Sequence, residues 1–173
     1  LTRGGIVLQI IERIGWKGII KIKVVDAKTK KIKHQETIYN QITKLALDEM
    51  ITALLGDSPD LEIKELAIGD DNTATSSNDE SLGNEIYRVS DTDSGVSDTG
   101  EVTTEFVIKG TEYTAIQPGG EIEELGIYAG SAAAVYGGGA GIDTGLLLAR
   151  VLWSYELIAS EDIYIQRIDL LYA

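Results

Sequence analysis

The chain has 173 residues and a mass of 18.7 kDa, with 43% hydrophobic and 25% charged residues, the composition of one folded domain with a real core. It has no cysteine and one histidine, His34, which excludes disulfides, thiolate zinc sites, cysteine nucleophiles and a histidine metal cage built within one subunit. The net charge of -13 argues against a general nucleic-acid binder, and no nucleic acid is expected as partner, because neutralising phosphates takes clustered Lys and Arg.

The N-terminus, Leu1-Thr2-Arg3-Gly4-Gly5, lacks a signal peptide's charged start, apolar stretch and cleavage site. No apolar run approaches the roughly 20 residues of a membrane helix. A soluble product, made in the cytoplasm and without a membrane partner, is expected. Charge is segregated along the chain: up to Lys44 there are ten basic and three acidic residues, and beyond it 5 basic and 25 acidic, or +7 against -20. This divides the chain into a basic N-terminal segment, residues 1–39, and an acidic body, residues 40–173.

Residues 6–14 are apolar and fit a strand or a short helix equally. Residues 18–25 alternate apolar and basic side chains, and residues 31–39 follow after a polar turn at 26–30, so the pair reads as a β-hairpin. Asn40 suits an N-cap and Gly56 a C-terminal stop, which predicts a helix near residues 41–55. Its stripe of Leu47, Met50, Ile51 and Leu54, flanked by Ala46 and Ala53, reads as core.

After a loop at 56–60, strands are expected at 61–69, 85–89, 102–108, 121–128, 146–155 and 162–172, with Val102, Thr104, Phe106 and Ile108 on one face and Ile168, Leu170 and Tyr172 alternating in the last. With the hairpin this makes about eight strands and one helix, without a βαβ rhythm. The fold class is mainly β, an antiparallel sandwich or barrel with one packed helix. The loops at 70–81 and 90–100 are rich in Asp, Ser and Thr, and residues 130–141 are nearly all small; such stretches are exposed or ordered by neighbours.

Weighed for chemistry, these segments offer little. Asp91-Thr92-Asp93-Ser94-Gly95 starts like a calcium loop but places Gly95 where a third oxygen ligand belongs and Val96 where the turn glycine belongs. Asp70, Asp71, Asp79 and Glu80 read as solvated turn residues. Gly137-Gly138-Gly139-Ala140-Gly141 lacks the Lys and Ser or Thr of a phosphate loop. His34 has no orienting acid or nucleophile beside it in sequence, and Glu123 and Glu124, adjacent on a strand, point to opposite faces and cannot flank one bond. No enzyme, metal site or cofactor is expected.

Tyr39-Asn40-Gln41-Ile42-Thr43 leads into the helix. Ala67-Ile68-Gly69-Asp70-Asp71-Asn72-Thr73-Ala74-Thr75 and Ser81-Leu82-Gly83-Asn84-Glu85-Ile86-Tyr87-Arg88 follow it. Together with Glu124-Leu125-Gly126-Ile127-Tyr128, Leu146-Leu147-Leu148-Ala149-Arg150-Val151 and the closing alternating strand, this order resembles a family of small bacteriophage structural proteins of tail or tail-fibre type. The resemblance covers about residues 39–173. It departs from the family at Asp70-Asp71, where small residues are usual, and at the glycine-rich stretch. It implies a non-enzymatic virion component, with a capsid decoration protein as the nearest alternative and a carbohydrate-binding adhesion module as an alternative of another class. The implied partners are other virion proteins and further copies in a trimer or ring, with a host-surface glycan as another. Gly69 and Gly83 read as turn residues with unusual backbone angles, and Glu85 and Arg88 as members of a structural polar network with Arg150 or the acidic loops. From the charge segregation, Lys21, Lys23, Lys31 and Lys33 are expected to meet acidic positions such as Asp70, Asp71 or Glu123 of a neighbour.

Overall fold

The computed structural model describes residues 15–56, 61–96, 101–116, 121–129 and 145–172. The apolar stretch 6–14, the loop residues 57–60 and the glycine-rich stretch 130–141 lie outside them.

The described residues form one helix and nine strands: β1 (Gly15–Asp26), β2 (Ile32–Ile42), α1 (Lys44–Leu54), β3 (Ile63–Gly69), β4 (Glu85–Ser90), β5 (Asp93–Val96), β6 (Glu101–Ile108), β7 (Glu121–Ala129), β8 (Leu146–Glu156) and β9 (Glu161–Tyr172). All neighbours pair antiparallel, in the order β4-β3-β7-β8-β2-β1-β9-β6-β5. The mainly β architecture read from the sequence is the observed one, as a curled half-barrel sheet.

Alternation builds the hairpin. Ile20, Ile22 and Val24 of β1 are buried while Lys17, Lys21 and Lys23 are exposed, since successive side chains point to opposite faces. Its turn is locked by Asp26, whose carboxylate accepts hydrogen bonds from Thr29 N at 2.7 Å, Thr29 Oγ1 at 2.8 Å and Lys28 N at 3.2 Å, and by Lys30 with φ of 58°. The Thr29 hydrogen bonds hold the Asp26 carboxyl below its ordinary value.

Far from standing off the body, β1 pairs with β9 along its length, from Gly15↔Tyr172 to Asp26↔Glu161. The compositional boundary at 39–40 falls inside β2, which pairs with β1 up to Asn40 and then with β8 through Gln41↔Arg150 and Ile42↔Ala149. β2 thus joins two halves, β2-β1-β9-β6-β5 and β4-β3-β7-β8. The sheet curls so that Leu66, Ile68, Tyr87 and Val89 from one half share a core with Phe106, Ile108, Ile163 and Ile165 from the other.

Four details differ from the sequence reading. The helix begins at Lys44 with Thr43 as N-cap, because β2 continues to Ile42 and carries Asn40 within it; Thr43 Oγ1 accepts from Ala46 N at 3.1 Å and donates to Leu147 O at 2.6 Å. Gly56 does follow the helix with φ of 100°. The helical stripe is core only in its first half. Ala46 is fully buried and Leu47 packs on the core, but Ile51 and Leu54 are 53% and 75% exposed, as is Leu55 at 82%.

A ninth strand, β5, lies in the stretch read as loop, where Asp93–Val96 takes its ladder from β6 despite weak strand propensity. Finally, β9 alternates, but its core-facing residues are Ile163, Ile165, Arg167 and Asp169, leaving Ile168 and Leu170 half-buried on the outer side.

Candidate interaction faces

The outer face of the β4-β3-β7-β8 half carries a buried ionic layer. Register places Arg88, Ala67, Gly126 and Arg150 side by side across the four strands. Arg88, 1% exposed, donates to Glu85 (Nε–Oε1 2.7 Å, Nη2–Oε2 2.5 Å) and to Glu65 (Nη1–Oε2 2.8 Å), and its guanidinium lies 4.0 Å from the Tyr128 ring centre. Burial opposes its charge, yet the bonds from Glu85 and Glu65 outweigh burial and hold it above the ordinary arginine value.

Arg150 forms the second node. It donates to Glu124 (Nε–Oε2 2.6 Å), Asp79 (Nη1–Oδ2 3.1 Å) and Thr73 O (3.1 Å), with Asp71 at 3.6 Å. Burial again lowers its proton affinity, and the bonds from Glu124 and Asp79 overcome this and raise it. The Glu124 carboxylate, fully buried, also accepts from Gly83 N at 3.1 Å and Asn84 N at 2.9 Å. The segment from Asp71 to Asn84, which takes in most of the loop at 70–81 expected to be exposed or ordered by neighbours, is therefore strapped to the sheet, with Leu82 seated in a small apolar cluster with Ala67, Tyr128 and Leu147. Glu85 and Arg88 pair with each other and Glu65, while Arg150 holds the acidic loop, so the expected network exists as two nodes. Gly69 and Gly83 serve close approach and not positive φ: among the described residues only Gly56 and Gly145 have glycine φ above zero. A Cβ on Gly83 would lie 2.5 Å from Asp71 Cγ.

The outer face of the β2-β1-β9-β6-β5 half is different. Register sets Gln35, Lys23, Tyr164 and Val107 in one row, and Thr37, Lys21, Gln166 and Glu105 in the next. All of them but Thr37 line a groove of about 330 Å³. Gln166 Nε2 donates to Glu105 Oε1 at 3.0 Å, and Lys109 Nζ stands 5.3 Å from the Tyr164 ring centre. Lys17 continues the lysine line and lies 4.6 Å from the ring centre of Tyr39.

A third surface lies where the ends of β1, β6 and β9 meet α1. Trp16, Met50, Leu61, Ile63, Val102 and Leu171 line an apolar cavity of about 280 Å³. Behind it, Asp169 accepts from Trp16 Nε1 at 2.7 Å and from Arg167 at 2.6 Å twice. Leu171 and, toward the end of α1, Ile51, Leu54 and Leu55 are exposed as well.

The expected contact residues fall into three groups. Lys21 and Lys23 share the groove, and among the described residues neither has a carboxylate within ion-pair distance. Lys33 is held within its own chain by Glu161 at 2.9 Å and Asp26 at 3.9 Å, as is Lys30 by Asp162 at 2.9 Å, while Lys31 is exposed beside them at the turn. Asp71 is taken by Arg150, Asp70 accepts from Asn84 Nδ2 at 2.6 Å, and Glu123 accepts from Ser154 Oγ at 3.1 Å.

His34 lies 3.3 Å from Glu36 with its ring near Tyr155, and no group of three or more potential metal ligands occurs among the described residues. The two tryptophans have separate surroundings: Trp16 meets Asp169, and Trp153, 4% exposed, stacks on Tyr155 and donates to Glu36 at 3.2 Å. The groove residues Gln35, Tyr164 and Gln166 were missed from the sequence; the available signal was the alternation of Tyr164 and Gln166 with buried residues in β9. Compared with known proteins, the chain matches no family model, no curated protein and no solved structure.

Proposed function

We propose that this chain is a non-enzymatic structural subunit of a bacteriophage or prophage virion, a tail component of fibre or baseplate type that works through contacts with other subunits. One observation carries the reading. The segments whose order resembles the phage tail family, 67–75, 81–88, 124–128 and 146–151, are far apart in sequence, yet they contribute Arg88, Glu85, Glu124, Arg150 and Asp71 to a single outer face. There Glu124 and Arg150 strap a loop to the sheet while Glu85 pairs with Arg88, a use of charge that sets the shape of a surface and partners each of these carboxylates with an arginine. The exposed Ile51, Leu54, Leu55 and Leu171 add apolar area of the kind that subunit contacts cover.

The test is the particle. Virions purified from a lysogen carrying an epitope-tagged copy are analysed by quantitative mass spectrometry and immunogold labelling. A few to tens of copies, with gold on the tail, is the expected result. Hundreds of copies over the shell would make it a decoration protein, and absence from the particle overturns the virion reading.

A further inference from the structure

We infer that the lysine line on the outer face of β1 is a docking surface for a second copy of this chain, which presents to it the acidic loop strapped over β3, β7 and β8. The inference rests on the structural-subunit reading and names the two surfaces that meet.

The first surface is an unmatched cation stripe. Lys21 and Lys23 stand two residues apart on one strand face, about 7 Å from each other, with Lys17 further along the same face. In a chain of net charge -13 with 28 acidic residues, these lysines have no carboxylate within ion-pair distance among the described residues, whereas Lys30 and Lys33 at the turn are satisfied internally. Beside them the groove has inward-pointing Ile22, Phe106 and Ile165 beneath it, so main chain forms its floor; Gln35 and Tyr164 supply hydrogen-bonding walls on the lysine side, and Gln166 holds the one lining carboxylate, Glu105, at the far side. A carboxylate-bearing loop meets charge and polar partners there together.

The second surface is the complement. Asp71 and Asp79 are bound to Arg150, which leaves Glu80 exposed on the strap and Asp70 exposed at its entry, where Asn84 Nδ2 donates to it at 2.6 Å. Neither has a cation within ion-pair distance among the described residues. The strap is held at Gly83, Asn84, Thr73 and Asp79 by Glu124 and Arg150, so its acidic side chains are displayed from a fixed backbone and lose little freedom on docking.

Geometry then decides the kind of contact. The two halves share one core, so their outer faces look away from each other and one copy cannot satisfy both. Pairing like faces would set lysine against lysine or carboxylate against carboxylate. The attractive arrangement is head to tail, and a heterologous contact of that kind closes into a ring or continues as a stack.

Sedimentation velocity at low and high salt tests this with two charge-swapped proteins, Lys21→Glu/Lys23→Glu and Asp70→Lys/Glu80→Lys, each checked for an unchanged circular dichroism spectrum. The wild type is expected to associate at low salt and to loosen as salt rises. Each variant alone should associate at least tenfold more weakly, and a mixture of the two should recover association with the variants alternating at one-to-one stoichiometry, because each variant then presents two acidic or two basic faces and finds opposite charge only on the other. A wild type that stays monomeric at every salt and concentration overturns the inference, as do variants that assemble like the wild type or a mixture that fails to recover. Binding of an anionic polysaccharide that depends on Lys21 and Lys23, in a protein that does not self-associate, assigns the groove to a glycan instead. The virion reading fails separately, by absence of the protein from particles.

Discussion

Glu124 lies directly over Gly69: a Cβ built on that glycine would sit 2.3 Å from Glu124 Oε1, 2.6 Å from its Cγ and 2.7 Å from the main-chain oxygen of Asn84. The side chain alone could turn aside, but the Asn84 main chain on the other flank cannot move without releasing the strap. Gly69→Ala is expected to destabilise the protein by about 2 kcal/mol or more, the usual cost of overfilling a packed site. Urea denaturation measures it, and a midpoint equal to wild type would show that the approach is not a constraint.

Arg150 neutralises the fully buried Glu124 and also reaches Thr73 and Asp79. Arg150→Met leaves that carboxylate buried without its cation, an arrangement that costs about 3–5 kcal/mol. Hydrogen exchange should show protection lost first at the amides of Gly83 and Asn84. Adding Glu124→Gln to the same protein is expected to restore part of the stability, since the uncompensated charge is then gone.

Tyr155 is pushed up to about 12 from its usual 10, by burial first and then by its 3.0 Å hydrogen bond to Glu161 Oε2. Its folded value is raised, so the stability it contributes is complete below pH 10 and is lost as pH rises from 10 toward 12. Ultraviolet difference titration should find a late-ionising tyrosine that is absent from Tyr155→Phe, and the variant should lose less stability than wild type across that interval.

The helix start distinguishes two candidate caps. Thr43→Ala removes the acceptor for Ala46 N and the donor to Leu147 O, and is expected to cost about 1–2 kcal/mol. Asn40→Ala, at the position that the sequence favours, removes a side chain whose amide atoms are buried without a hydrogen bond and should cost less. Thermal melts of the two variants give the order.

Strand periodicity was readable wherever one side of a strand meets the core and the other meets water, as in β1 and β6, because alternation then records the environment directly. It says less where both sides are covered. The outer sides of β3, β4, β7 and β8 carry Glu65, Arg88, Glu124 and Arg150, which are nearly or fully buried although alternation alone gives charged residues no reason to be so. Asn40 failed as a cap for a related reason: ladder pairing of Gln41 and Ile42 with β8, a contact over 100 residues away in sequence, outweighed a local preference. The groove beside Lys21 and Lys23 needs Tyr164 and Gln166 from β9, which only the β1 and β9 register brings there.

That same register has a mechanical consequence. Gly15 and Tyr172 are paired at one end of the β1 and β9 ladder, so tension drawn between those two points acts on a single pair of residues at a time. The ladder would open as a zipper, at low force, and not as strands sheared lengthwise against many bonds together. Load passing through an assembly of such subunits is better borne across the outer faces, where a push or pull is spread over the whole sheet.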